Sequence, residues 1–340
     1  MNLSLPLPRV LIVGGGFAGL WATRALAGAA VRVTLIDRQN HHLFQPLLYQ
    51  VATAGLSAPD IAAPLRHVLR AQRNVEVRLG EVSAMDLNAR RVTLADGALL
   101  DFDYLVLATG AGHAYFGRNE WAAFAPGLKT LDDALRIRAR VLRAFERAES
   151  ADDAAERDGW LSFAIVGGGP TGVELAGTLA EIARHTLKRE FRHIDPARAR
   201  VRLIEAGPRI LASFPESLSA KAARQLQHLG VDVLTGAPVT DIDAQGLALR
   251  GERIAARTVL WAAGVAASPL GAALGVPLDR AGRVRVAADL SVPGHPEVFV
   301  AGDLASVESE GRPVPGIAPA AKQMGRHVAA VIRARIGRGG

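Results

Sequence analysis

Apolar residues fall into short runs punctuated by glycine, and the clearest succession of elements opens the chain. The run Val10–Val13 predicts a buried strand, the stretch from about Phe17 to Ala27 a helix, and the β-rich run Val31–Ile36 a second strand ending on Asp37. Strand and helix are joined by Gly14, Gly16 and Gly19 in G-x-G-x-x-G spacing. Gly14 permits the tight strand-to-helix turn, Gly16 lets the backbone approach a pyrophosphate, and Gly19 lets the helix pack closely on the strand. The free N–H groups of the helix N-terminus then hold the pyrophosphate, and Asp37 accepts the ribose hydroxyls. Strand, glycines, helix and acid together describe a dinucleotide site.

The next segment, Asn40 to Arg66, reads as a loop that packs against a ligand or the core. Its adjacent histidines, His41 and His42, point in divergent directions and have no regularly spaced third ligand, so no metal site is expected. From Asn74 to Gly110 short alternating runs (VEVRL, RRVTLA, FDYLVLATG) predict a small β-meander and a returning strand ending in Ala108-Thr109-Gly110. Small residues at a strand end allow it to pass close under a nucleotide. Residues from about Ala111 to Gly159 form a connector of helical character.

The opening pattern then repeats. Trp160 to Gly177 carries Gly167, Gly169 and Gly172 in the same spacing, and the strand VRLIE ends on Glu205. The distance from Gly19 to Gly110 nearly equals that from Gly172 to Gly264 of WAAG, two matches that point to internal duplication and so to two dinucleotide sites. A second run of short strands (VDVL, LALR, TVLWAAG) mirrors the first meander. Glu297 to Ala305 (EVFVAGDLA) is an apolar strand delivering Gly302-Asp303 to a strand's carboxyl edge, where open α/β sheets bind ligands. A last helix runs to about Arg335.

Composition narrows the chemistry. At 340 residues and 49% hydrophobic, the chain can build two cores. A net charge of +7 suits anionic ligands or acidic lipid; scattered arginines and only 5% aromatics argue against nucleic acid. The absence of cysteine removes disulfides, thiolate nucleophiles, iron–sulfur clusters and thiolate zinc sites together. No signal peptide is visible ahead of the first strand, so a cytoplasmic location is expected. Thr258 to Leu278 is uncharged and long enough to span a bilayer, but Gly264, Pro269, Gly271, Gly275 and Pro277 mark it as loop and strand.

Taken together, VGGGFAG with Asp37, ATG at Ala108–Gly110, VGGGPTG with Glu205, and FVAGD ending on Asp303 resemble the pyridine nucleotide–disulfide reductase superfamily. NHHLFQPLLYQVATAGLS, GPTGVELAGTLAE, WAAGV and GIAPAAKQMG look closely like its type II NADH:quinone oxidoreductases, single-subunit enzymes that do not pump protons. The implied fold is α/β: two Rossmann-like dinucleotide-binding domains, each with a small β-meander, the second inserted in the first. Residues 1–112 and 265–340 would then bind FAD, and residues 113–264 NADH. The resemblance adds Phe17, Ala18, Arg38, Gln45, Val82, Ala320, Thr171 and Ala263 to the cofactor-contacting positions. It implies that hydride passes from NADH to a non-covalent FAD and two electrons from there to a quinone. Glu174 and Gln323 are the residues it links to that chemistry, although Glu174 could equally be a helix-dipole carboxylate.

Two departures stand out. The quinone motif A-Q-x-A-x-Q has Pro319 in place of its first glutamine, leaving Gln323. Family members also continue beyond the equivalent of Gly340 into a carboxy-terminal membrane-anchoring region absent from this sequence. The expectation is therefore good turnover with small quinones and poor turnover with long-tailed ones, without firm lipid binding. Contact with the inner face of the cell membrane and a homodimer stay open. So do two rival readings: an NADH reductase serving a ferredoxin-like protein, and a non-enzymatic redox sensor that binds FAD and NADH.

Overall fold

A computed structural model describes residues 6–337. In chain order the main strands are β1 (Arg9–Val13), β2 (Arg32–Asp37), β3 (Val75–Leu79), β4 (Tyr104–Leu107), β5 (Ser162–Val166), β6 (Arg200–Ile204), β7 (Val231–Leu234), β8 (Thr258–Trp261), β9 (Ser291–Val292) and β10 (His295–Val300). The main helices are α1 (Phe17–Ala25), α2 (Leu48–Ala52), α3 (Leu131–Glu149), α4 (Pro170–Glu181), α5 (Glu216–His228) and α6 (Ala318–Gly337). Two compact units result. One holds residues up to Leu43, Ala62–Gly112 and the chain from Val265 on; the other holds Phe44–Ile61 and His113–Gly264.

The first unit is a sheet of order β9-β10-β4-β1-β2-β3, parallel except where β9 runs against β10. Ile12 sits opposite both Leu35 and Val106. Successive residues of β1 serve opposite faces. Val10 and Ile12 join the core beneath α1 and α6, and Leu11 and Val13 join the core with Val82, Val92, Leu94 and Phe102 of the meander region. Burial on both faces explains why β1 reads as a continuous apolar run. Helices α1 and α6 touch through their backbones: a Cβ on Gly325 would lie 2.2 Å from the Ala18 carbonyl oxygen. Gly325→Ala should therefore destabilise this unit by about 1–3 kcal/mol, the usual cost of overpacking, and urea midpoints of the two proteins check it.

The second unit repeats the plan with a parallel sheet of order β7-β6-β5-β8, Ile165 standing opposite Leu203 and Leu260. Its core gathers Tyr115, Trp121 and Trp261, with Tyr115 stacked on Trp261 at 5.0 Å. Helix α3 opens on a capping box between Thr130 and Asp133. Burial opposes ionisation of Asp133, but hydrogen bonds from His113, Thr130 and the Lys129 amide outweigh it and hold the carboxyl at about 2.

Two expectations about local pairing change. VEVRL and VDVL were expected within the meanders. They are instead β3 and β7, parallel edge strands of the two main sheets beside β2 and β6. The meanders are Val82–Asp86, Arg91–Leu94 and Leu99–Asp101 in one unit, and Val239–Asp243, Gly246–Leu249 and Glu252–Ala255 in the other. Alternation alone does not distinguish a half-exposed parallel edge strand from a hairpin strand. Residues 44–61, contiguous in sequence with the first unit, pack in the second, where α2 lies against α3.

Candidate functional site

In the first unit the turn after β1 is built by backbone contact. Gly14 has φ +107°, donates its N–H to Ile36 (2.7 Å), and has no room for a Cβ, which would meet the Ala108 carbonyl oxygen at 2.3 Å. Gly19 closes the same turn, since its Cβ would stand 1.8 Å from the Gly14 oxygen. Gly16 differs: nothing lies within 4 Å of its Cβ position. As the N-cap of α1 it offers no side chain to the first-turn N–H groups, which remain for an anion. The Asp37 carboxylate accepts from the N–H groups of Gly15 (2.5 Å) and Gln39 (2.7 Å), fixing its position at the end of β2.

Ala108, Thr109 and Gly110 follow β4, and the Thr109 hydroxyl is buried without a partner. Gly302 (φ +76°) would put a Cβ 3.3 Å from that of Ala18 and 3.8 Å from that of Ala321, so Gly302 and Asp303 meet the start of α1 and of α6. Ala320 is half-buried near the start of α6, Gln323 is exposed on it, and Phe17 is half-buried with its ring edge-on to His42 at 5.0 Å. Val82 is buried in the meander, and Arg38 is exposed after β2.

The second unit holds the same device. Gly167 has φ +115°, donates to the Ile204 carbonyl (2.7 Å), and leaves its missing Cβ 2.5 Å from the Ala263 nitrogen; a Cβ on Gly172 would stand 1.9 Å from the Gly167 oxygen. Gly169, the uncapped N-cap of α4, again has nothing within 4 Å, and Pro170 and Thr171 begin the helix. Glu205 repeats Asp37, accepting from Gly168 (2.6 Å) and Gly207 (2.7 Å). The Arg209 guanidinium is engaged by the carbonyls of Leu211, Ala212 and Phe214.

Glu174 lies on α4 with access to solvent, yet enough protein surrounds it that burial raises its carboxyl above the ordinary carboxylate range. Gln45 belongs to this unit, donating to the Lys129 carbonyl (3.3 Å). Sequence reasoning missed Phe116. Its backbone is left-handed (φ 51°), its side chain is 72% exposed, and its ring fills the space a Cβ on Gly264 would take, 2.6 Å away. In a sheet of this order the crevice lies between β5 and β8, and Phe116 stands at the end of β8. The only sequence signal was an aromatic beside Gly117 in a segment read as connector.

Among the described residues no three His, Asp or Glu side chains converge as a metal site, and no helix is long and apolar enough to cross a membrane. His41 contacts Asn40, and His42 contacts the Gly15 carbonyl at 2.9 Å.

The family described as "Pyridine nucleotide-disulphide oxidoreductase" matches residues 8–325. Two proteins of Mycobacterium tuberculosis, the type II NADH:quinone oxidoreductases Ndh and NdhA, are each 49% identical. The alignments cover 96% of this chain and 73% and 71% of those proteins. The chain belongs to the type II NADH:quinone oxidoreductases of that family. NDH2 of Plasmodium falciparum in complex with NADH shares the fold, superposing with a TM-score of 0.87 at 21% identity, over 96% of this chain and 83% of that one. A covalent putidaredoxin reductase–putidaredoxin complex shares the architecture at a TM-score of 0.76 and 24% identity, over 96% of this chain and 75% of that one.

Proposed function

We infer that this chain oxidises NADH and passes the electrons to a quinone through FAD, without pumping protons. The observation that carries this reading is the 49% identity with two quinone oxidoreductases across 96% of the chain. The two cradles supply its physical basis. Each leaves open space at a helix N-terminus whose N–H groups are uncapped, and the first adds a buried threonine hydroxyl that lacks a partner. These features fit a dinucleotide pyrophosphate in each unit.

We assign FAD to the first unit and NADH to the second. Bound FAD supplies the hydride acceptor and the two-electron donor. The protein's part is placement. Gly16 and Gly169 admit the pyrophosphates, Asp37 and Glu205 receive ribose hydroxyls, and Asp303 stands at a strand's carboxyl edge for the remainder of the flavin nucleotide. Gln323, exposed on α6, is the group assigned to hold a quinone carbonyl. Conversion of NADH, H⁺ and quinone to NAD⁺ and quinol takes one proton from solvent beyond the hydride. Glu174, solvent-accessible and raised in pKa, can hold that proton on its carboxyl. The cytoplasmic face of the membrane, where quinone is dissolved, is the assigned location.

NADH should be preferred to NADPH by at least about tenfold in half-saturating concentration, because the Glu205 carboxylate repels a 2′-phosphate and Arg209 is held by three carbonyls. Anaerobic bleaching of the flavin by each nucleotide checks it; faster reduction at lower concentration by NADPH would overturn the assignment. Steady-state turnover with a soluble quinone compared with an iron–sulfur protein tests the function as a whole. Faster transfer to the iron–sulfur protein would shift the reading to a ferredoxin-type reductase.

A further inference from the structure

On the face that α1 and α6 share, beside the first cradle, three cations gather around a single ring. Trp21 on α1 is half-buried. The Arg326 guanidinium lies 4.4 Å from its ring centroid, the Lys322 ammonium 5.4 Å and the Arg24 guanidinium 5.6 Å. Lys322 also lies 5.2 Å from the Phe17 ring. The arrangement follows from helix spacing: Arg24 is one turn beyond Trp21, Lys322 and Arg326 are one turn apart on α6, and Gly325 brings the two helices together.

Some arginines elsewhere meet carboxylates, as Arg9 does with Asp101 and Asp103, and Arg335 with Asp289. Among the described residues, Arg24, Lys322 and Arg326 have no such partner. Their field is felt nearby. The His42 imidazole is pushed below its ordinary range first by burial and then by the charges of Lys322 and Arg24, with the Gly15 carbonyl and Asp37 acting in the opposite sense. Three like charges around one indole repel each other until an anion joins them.

We propose that Trp21, Arg24, Lys322 and Arg326 bind the phosphate of an anionic phospholipid headgroup, with the indole entering the lipid–water boundary. Among the described residues Arg24 and Arg326 are exposed. A single soluble anion gains little there, whereas a bilayer offers an array of phosphates together with an interfacial layer that takes up indole. The geometry is independent of the enzymatic reading; that reading supplies only the use, access to a lipid-dissolved acceptor.

The test uses the flavin-loaded full chain and sedimentation with vesicles of phosphatidylcholine alone or mixed equally with phosphatidylglycerol. The wild type is expected to sediment with the mixed vesicles only. Arg24→Gln/Arg326→Gln should bind roughly thirtyfold more weakly, two cations at about 1 kcal/mol each near an anionic surface. Brominated phosphatidylglycerol should quench tryptophan emission in the wild type and not in Trp21→Phe. Unchanged flavin content and urea midpoint certify that both variants are folded. Equal binding to the two vesicle types, no binding at all, or wild-type affinity in the double variant would overturn the proposal. A Trp21 emission change with inorganic phosphate but no vesicle binding would assign the patch to a soluble anion instead. Turnover with a soluble quinone, measured on the same preparations, judges the enzymatic reading separately.

Discussion

Gly16→Val should yield a folded, colourless protein, and Gly169→Val a yellow one that NADH hardly reduces. Both positions have backbone angles open to any residue, φ −69° and −74° with extended ψ, and no protein atom lies within 4 Å of either Cβ site. The fold therefore loses only the difference between glycine and valine as N-caps, on the order of 1 kcal/mol. Ligand binding loses more. A side chain at the mouth of the helix N-terminus holds the pyrophosphate away from N–H groups whose charge-assisted hydrogen bonds are worth about 1.5–3 kcal/mol each, so affinity should fall roughly a hundredfold. For Gly16→Val the readout is flavin content after purification and FAD titration of the apoprotein. For Gly169→Val it is the NADH concentration that half-bleaches the flavin, with dithionite bleaching unchanged. The reverse pattern would exchange the cofactor assignments, and normal behaviour of both variants would remove the pyrophosphates from these helix ends. Gly19→Ala and Gly172→Ala provide the contrast. There the new Cβ would lie 1.8 and 1.9 Å from a carbonyl oxygen, so the unit itself should fail.

That contrast also marks what could be read from the sequence. Gly14, Gly19, Gly167 and Gly172 are fixed by close backbone contact, and the residue type itself reports the constraint. Ala108–Gly110 and Gly264 were legible for a related reason, because a strand ending beneath a turn has to be narrow. The destinations of VEVRL and VDVL were not, since a parallel edge strand is identified by its neighbours rather than by its own pattern. Residues 44–61 crossed to the second unit through the packing of α2 on α3, a contact between segments far apart in sequence. Phe116 and the Trp21 cluster were illegible in the same way. Phe116 becomes conspicuous only once Gly264 is seen to lack the space its ring occupies, and Arg326 only once α6 lies on α1.

Glu174→Gln should separate the two halves of the reaction. Hydride transfer from NADH needs no proton from the protein, so the rate of flavin bleaching should stay within about twofold of wild type. Quinol formation needs one proton from solvent, and loss of a positioned acid–base group typically slows such a step by a hundredfold or more; turnover with a soluble quinone should fall by about that factor. The pH dependence has a definite sign. Burial raises the carboxyl's pKa in the folded protein, so the proton-bearing form is lost as pH rises through that raised value, and wild-type turnover should decline across that window. The variant has no such limb. Stability should move in the opposite direction to activity. A raised folded pKa means that the wild type loses stability as pH climbs from the unfolded value towards the folded one, and glutamine does not. Glu174→Gln should therefore match the wild type in acid and be slightly more stable at neutral pH, the gain kept small by the residue's access to water. Thermal midpoints at acid and neutral pH, beside stopped-flow bleaching and steady-state turnover, make the full set of measurements. Slower bleaching with an unchanged ratio of bleaching to turnover would show instead that Glu174 positions NADH and carries no proton.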